Sequence, residues 1–397
     1  MRANGKIRSA IFGLHGYREV FGLYLKIEKR RMVKTTVAEG HPKRRANVVG
    51  YSAYKMSELH RLKVDIIGLR SDIKTSQEHH NDGTLATAAK QIAKMKAPGK
   101  GIKMRRHLKG HLKKVYDLHW SADSRHIVSA AADGNLLIWD VCSKNKQMMI
   151  RTDNEWTNSC AYSPSGSFVA NGDLNNICYV HPLQGRTFEY SPTAQELRGH
   201  TGWISGCRFV SDEEMLTCSG DTTCALWDID SGTQKTIFKS HDGDVLSLEI
   251  VEEGRTFVTG SCDNTAKIWD MRTGQCTQTF WGHSGDVNSV SVHPSGLAIG
   301  SASDDRTCKL FDLRADQEVA AYSLLSITSE VHDIAFSRSG RILCAAYDDG
   351  CRLWDVATEN CVEQFEGHGA RVSCVDIAPD GLAICTGSWD TMLKVWS

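Results

Sequence analysis

The 397-residue sequence holds no Cys-x-x-Cys pair and no Asn-x-Ser/Thr acceptor, although it carries 14 cysteines. Neither a zinc site of paired thiolates nor a glycosylated, disulfide-framed domain is expected from it. Most cysteines sit inside strand-like runs, such as Ile384-Cys385-Thr386 and Ser373-Cys374-Val375, so buried free thiols in a reducing compartment are expected. No apolar run approaches the ~18–20 residues that cross a bilayer. Charged residues break up the apolar stretches near the N-terminus, which excludes a signal-peptide layout. The end Lys394-Val395-Trp396-Ser397 has no prenylation box. Also absent are the phosphate loop Gly-x-x-x-x-Gly-Lys-Ser/Thr, the dinucleotide Gly-x-Gly-x-x-Gly, His-Glu-x-x-His and Gly-x-Ser-x-Gly. No catalytic residue, cofactor or metal is therefore expected, and a protein working in a nucleotide-driven pathway with this sequence would not hold the nucleotide itself.

The formal net charge is zero, but the halves do not share it. Residues 1–55 hold 13 Lys/Arg and 3 Asp/Glu, residues 56–100 hold 8 and 5, and residues 101–397 hold 26 and 39. The acidic C-terminal region is a poor candidate for nucleic-acid binding, which needs clustered positive charge.

What is present is a repeat. Trp139-Asp140, Trp227-Asp228, Trp269-Asp270 and Trp354-Asp355 are four clear copies, and Phe311-Asp312 and Trp396-Ser397 are two more in register. With His181 as a degraded anchor, the steps are 42, 46, 42, 42, 43 and 42 residues. Seven units of this period, opened by Gly-His and closed by Trp-Asp, predict an all-β, seven-bladed WD40 β-propeller over 101–397. The last unit stops at its Trp, so residues near Met104–Leu108 are expected to supply its outer strand and close the ring.

An Asp lies six residues before the anchor in most units: Asp133, Asp221, Asp263, Asp305, Asp348 and Asp390. A His opens most units: His111, His200, His241, His283 and His368. Taken singly these residues look catalytic or metal-binding. Their recurrence makes them structural: the Asp is expected to cap its turn and accept a hydrogen bond from the His, since a buried carboxylate needs such partners. Unit two has Asn175 where the Asp is expected and unit six lacks an opening Gly-His, so these two blades are expected to be the least regular.

Ahead of the ring, Leu59, Leu62, Ile66, Leu69 and Ile73 step by 3, 4, 3 and 4. That seam predicts an N-terminal coiled-coil α-helix within 56–100, too short to stand alone and suited to a second helix from a partner. A second short helix carrying Leu85, Ala88, Ala89, Ile92 and Met95 is expected to end at Pro98-Gly99. Residues 1–55 read as a basic extension, disordered or outside a mature chain that starts at Met56, in preference to a membrane-surface arm.

The stretch Ser219-Gly220-Asp221-Thr222-Thr223-Cys224-Ala225-Leu226-Trp227-Asp228 resembles the third blade of the beta subunit of heterotrimeric G proteins. Leu310–Glu318, Gly387-Ser388-Trp389-Asp390, Arg371-Val372-Ser373-Cys374 and the start Met56-Ser57-Glu58-Leu59 resemble the same family, so the likeness covers about 56–397. It implies a non-enzymatic signalling subunit that pairs with a small gamma subunit through the helix at 56–100 and part of the ring. The dimer would hold a GDP-bound alpha subunit and, once released, act on effectors such as channels, cyclases, lipases and kinases. The resemblance also implies a cytoplasmic protein at the inner face of the plasma membrane, held there by lipids on its partners. Carried over residue by residue, the alpha-facing and effector-facing surface falls on Lys114, Tyr116, Trp156, Leu174, Asn176, Trp203, Asp244, Leu246, Cys262, Asp286, Asn288, Asp304 and Trp389. Aromatic anchors among carboxylates suit an interface hot spot. The chain departs from the family at Trp203, usually Tyr, and at Leu246 and Asn158, usually Met. Gly172-Asp173-Leu174-Asn175-Asn176 differs from the usual Gly-Gly-Leu-Asp-Asn. The competing reading is a WD40 scaffold or ubiquitin-ligase substrate adaptor, but no adaptor module is visible in the sequence.

Overall fold

A computed structural model describes residues 101–397 apart from 153–154, 185–192, 252–254 and 325–326. The chain divides into two units, Met1–Met95 and Lys96–Ser397. The coiled-coil residues Leu59, Leu62, Ile66, Leu69 and Ile73 and the basic extension lie outside the described residues.

Every regular element in the described residues is a β-strand, and the strands form seven four-stranded sheets. Blade 1 is Val115–Trp120, His126–Ala131, Asn135–Asp140 and Asn145–Arg151. Blade 2 is Thr157–Tyr162, Phe168–Asp173, Ile177–Pro182 and Gln195–Arg198. Blades 3 to 6 follow with the same order, their inner strands being Ile204–Phe209, Val245–Ile250, Val287–Val292 and Val331–Phe336. Blade 7 takes Val372–Ile377, Ile384–Ser388 and Met392–Trp396 from the C-terminus and its outer strand, Met104–Lys109, from the start of the ring. The closure strand runs antiparallel to Met392–Trp396, with Leu108 opposite Leu393. No open edge is left between the first and last blades.

The burial pattern explains the strand order within a blade. The second and third strands are buried on both faces, as in His126–Ala131 and Ile177–Pro182. They read as runs of small and branched residues rather than alternations. Outer strands alternate instead, as in Thr233–Lys239, because one face meets solvent. The core is not one mass but seven clusters, each spanning two neighbouring blades. One joins Leu118 and Trp139 of blade 1 to Cys374 and Leu393 of blade 7. Another joins Leu216 and Phe238 of blade 3 to Phe257 and Trp269 of blade 4. Trp139, Trp227, Trp269 and Trp354 are fully buried, and each contributes roughly 2–3 kcal/mol by leaving water. All 14 cysteines are unpaired, and ten of them are buried in these layers.

A polar frame pins the top of five blades. In blade 4, His241 Nδ1 meets Asp263 at 2.7 Å and its Nε2 meets Thr259 Oγ1 at 2.7 Å, while Trp269 Nε1 donates to the same Thr259 hydroxyl at 2.8 Å. The same arrangement links His111, Asp133, Ser129 and Trp139, then His200, Asp221, Thr217 and Trp227, and then His368, Asp390, Thr386 and Trp396. In blade 5, Phe311 has no N–H, so His283 alone contacts Ser301, at 2.6 Å, while its Nδ1 meets Asp305 at 2.8 Å. Burial alone would raise these aspartates. Hydrogen bonds from the His and a nearby Thr outweigh it and hold Asp221, Asp263 and Asp305 below the usual carboxylate range.

Blades 2 and 6 depart, each for a local reason. In blade 2, His181 takes the place of the Trp and meets Asn171 Oδ1 at 2.8 Å. Asp173 accepts the Asn175 N–H at 2.9 Å, where blades 3, 4, 5 and 7 use a serine. In blade 6, Asp348 does not cap a blade histidine as its spacing from Trp354 predicts. Tyr347 pairs directly with Gly350, so the hairpin is one residue shorter than in its neighbours. Asp348 then points outward to His332 Nε2 at 2.9 Å and Arg371 Nε at 2.7 Å.

Candidate protein-docking face

In each blade the first residue of the inner strand pairs with the last residue of the second strand, as Ile204 does with Ser219. The entry to the inner strand and the hairpin after the second strand therefore share one edge of the blade. Lys114, Tyr116, Trp156, Trp203, Asp244, Leu246, Asp286 and Asn288 come from the entries, and Leu174, Asn176, Cys262, Asp304 and Trp389 come from the hairpins. Antiparallel pairing alone brings all thirteen to the same face of the ring.

A second regularity aims some of them inward. The ladder slips at the second residue of every inner strand: Tyr116, Asn158, Ser205, Leu246, Asn288, His332 and Ser373. A β-bulge re-aims the side chain it carries, and all seven residues line the central channel, whose volume is about 560 Å³. Three of them also stitch blades together. Ser205, Asn288 and Ser373 donate to the carbonyls of Val245, Val331 and Val115, each the first inner-strand residue of the next blade. Ser205, His332 and Ser373 escaped sequence reasoning; their constant offset within the repeat was the available signal.

Over blades 7, 1 and 2 the face is aromatic and cationic. Tyr116 stacks on Trp156 with centroids 6.0 Å apart and meets Trp389 edge-on at 6.5 Å. Lys114 Nζ lies 3.6 Å from the Trp389 ring centre and the Arg371 guanidinium 4.7 Å from it. Arg371 is held by Asp348 and by Glu330 at 3.8 Å, a buttress that sequence reasoning did not assign to the site. Trp156 has φ +74° and remains 44% exposed, so its ring stands out from the surface although it lies next to a buried strand. Leu174 is exposed to the same extent, and the Asn176 amide donates to the Thr201 carbonyl at 3.0 Å. Trp203 lies against the backbone at Gly220, where a Cβ would come within 2.3 Å of the indole nitrogen.

Across the channel mouth, blades 4 and 5 present an acidic arc. The Asn288 amide bridges Asp304 and the Val331 carbonyl. The Cys262 thiol is pushed up to about 12 by burial, by its hydrogen bond to Asp286 and by the charges of Asp286, Asp244 and Asp304. It is a protonated thiol and not a nucleophile. The described residues contain no cluster of His, Cys, Asp and Glu that could hold a metal ion. The arrangement is thus an anchored aromatic patch beside cations, facing an arc of carboxylates, which is the chemistry of protein recognition.

The family model for G protein beta WD-40 repeat proteins matches residues 56–397. The chain belongs to that family. It is 51% identical over 344 residues to the guanine nucleotide-binding protein G(I)/G(S)/G(T) subunit beta-1 of Homarus americanus, an alignment that covers 86% of this chain and 100% of the relative. Among the described residues of this G protein beta family member, no helix is long and apolar enough to cross a membrane.

Proposed function

We propose that the chain works as the beta subunit of a heterotrimeric G protein, a non-enzymatic transducer. In this reading residues 56–100 pair with a gamma subunit through Leu59, Leu62, Ile66, Leu69 and Ile73, and 101–397 form the propeller. The face built from Lys114, Tyr116, Trp156, Trp389 and the acidic arc holds the GDP form of an alpha subunit. When alpha leaves, the same face contacts effectors such as channels, cyclases, lipases and kinases, in the cytoplasm at the inner side of the plasma membrane. The observation that carries this reading is the Tyr116–Trp156–Trp389 cluster with Lys114 over its ring, on a chain whose family is that of G protein beta subunits. Stacking fixes the rings before a partner arrives, which lowers the ordering cost of docking.

The test is a double substitution, Trp156→Ala with Asp244→Ala, which removes one anchor from each arc. Affinity for an alpha subunit loaded with GDP should fall by roughly 2 kcal/mol or more, about 30-fold, while the melting temperature stays within a degree or two. Calorimetric titration reads the first quantity and circular dichroism the second. Unchanged affinity with an intact fold removes this face from the binding site.

A further inference from the structure

The outer rim of the ring is not uniformly charged. On blade 7, Lys103, Arg105, Arg106 and Lys109 lie on or beside the outermost strand, with Arg106 half-buried and the others exposed. On the neighbouring blade 1, Lys144, Lys146 and Arg151 are exposed along the outer strand and the turn before it. Neither Met104–Lys109 nor Asn145–Arg151 contains an acidic residue. None of these seven cations forms a salt bridge among the described residues, whereas most charges on the other outer strands are paired, Lys239 of blade 3 and Glu363 of blade 6 being exceptions. Glu196 pairs with Arg198 on blade 2, Lys235 with Glu214 and Asp228 on blade 3, and Glu318 with Lys309 on blade 5. Among the outer strands, unpaired cations are therefore concentrated, though not confined, on one sector of a region that is acidic overall. Met104 and Met149, 39% and 45% exposed, stand among them on the same two strands.

We propose that this sector of the rim, blades 7 and 1, contacts an anionic phospholipid bilayer directly. Two neighbouring outer strands on the convex edge of a ring meet a plane together, so the cations on both reach one surface. Each Lys or Arg held close to an anionic leaflet is attracted by about 1 kcal/mol, and flexible methionine side chains between them enter the headgroup boundary. A nucleic acid is the weaker occupant, because neither strand carries a Phe, Tyr or Trp on which a base could stack and His107 is the one smaller ring present. The contact is separate from the gamma and alpha pairing proposed above. It adds attachment through this chain's own residues to attachment through lipids on partners.

The test uses the full chain in the complex in which it purifies, sedimented with phosphatidylcholine vesicles prepared with and without phosphatidylserine. The rim variant Arg105→Gln/Arg106→Gln/Lys146→Gln is compared with a control of equal charge loss elsewhere, Lys239→Gln/Arg272→Gln/Arg314→Gln. A lipid carried by a co-purifying subunit contributes equally to both variants, so their difference reports the rim. On phosphatidylserine vesicles the rim variant should bind about 30- to 100-fold more weakly than the wild type, with the control within about three-fold. Salt at about 0.5 M should remove the difference. The proposal is overturned if the two variants bind alike, if the wild type ignores phosphatidylserine, or if single-stranded DNA binds the rim more tightly than the vesicles do. Melting temperatures of both variants close to that of the wild type show that a loss of binding is not unfolding.

Discussion

One aspartate does three tasks at the top of a blade. Asp263 accepts from His241, from the Thr265 hydroxyl at 2.6 Å and from the Asp242 N–H at 3.2 Å, and through His241 and Thr259 it fixes the Trp269 indole. Replacing it leaves several donors short of partners in a half-buried site, so Asp263→Ala should cost about 2–3 kcal/mol. Asp348 has the same spacing from its tryptophan, yet it faces solvent with Arg371 and His332. A surface ion pair contributes about 0–1 kcal/mol, so Asp348→Ala should change stability little. Thermal melting of the two variants separates these outcomes, and equal losses would show that Asp348 belongs to the polar frame after all. The sequence repeat made the role of Asp263 readable because five blades agree. It misled at Asp348 because spacing along the chain does not reveal how many residues a hairpin leaves unpaired, and Tyr347 closes directly on Gly350.

Strand number and ring closure were legible in the periodicity, since a blade must bury its faces against two neighbours and an unpaired last strand must find a partner, whereas the thirteen surface positions came from the family resemblance. The bulges were not legible. Nothing in the composition of Val331-His332-Asp333 distinguishes a slipped ladder from a regular one, and the slip appears only when the strand pairs. The closure strand offers a test at this scale. Leu108 is fully buried, between Leu118 and Trp139 of blade 1 and Leu393 of blade 7. Leu108→Asp places a carboxylate there without a partner, at a cost of several kcal/mol. Because the strand is the fourth of its sheet, the damage should be local at first. Hydrogen exchange at Met392–Trp396 should accelerate well before exchange in blades 3 and 4. Uniform acceleration around the ring would mean that closure and global unfolding are one event.

At the scale of the whole ring, two sets of carboxylates titrate in opposite senses. Those of the polar frame are held low. Their stabilisation is present above their ordinary value of about 3.9 and is lost as pH falls through the folded value. Along the channel, Asp117 accepts the Cys160 N–H, Asp333 accepts the Ser289 hydroxyl and the Val375 N–H, and Asp376 accepts the Trp120 N–H, each joining its blade to a neighbour. Arg208, drawn at 3.5 Å to Glu249, faces Asp117 and Asp376 from blade 3, and His119, His293, His332 and Arg338 line the same space. Burial raises Asp333 and Asp376 to about 7, and the hydrogen bonds offset it only in part. In the unfolded chain these groups ionise near 3.9, so between about pH 4 and 7 the folded ring binds more protons. Stability from these two groups is therefore full below about pH 4, falls as pH rises, and levels off above about 7. His119 is lowered to about 3 by burial and by Arg208, and stays neutral throughout that window in the folded ring. His293 and His368 are also lowered, first by burial, and favour the fold as pH rises through their unfolded range. The informative quantity is thus the difference between variant and wild type. Asp333→Asn removes one titration and keeps one acceptor oxygen for its three donors, the Ser289 hydroxyl and the Ile334 and Val375 N–H groups. Its melting temperature relative to wild type should climb between pH 5 and about 7, equivalent to up to about 1 kcal/mol per pH unit, and then level off. Melting curves at half-unit steps read this directly. A difference that stays flat across the range means that Asp333 is ionised in the folded ring from the start, and that the channel acids stabilise the blades as charges rather than as protonated clips.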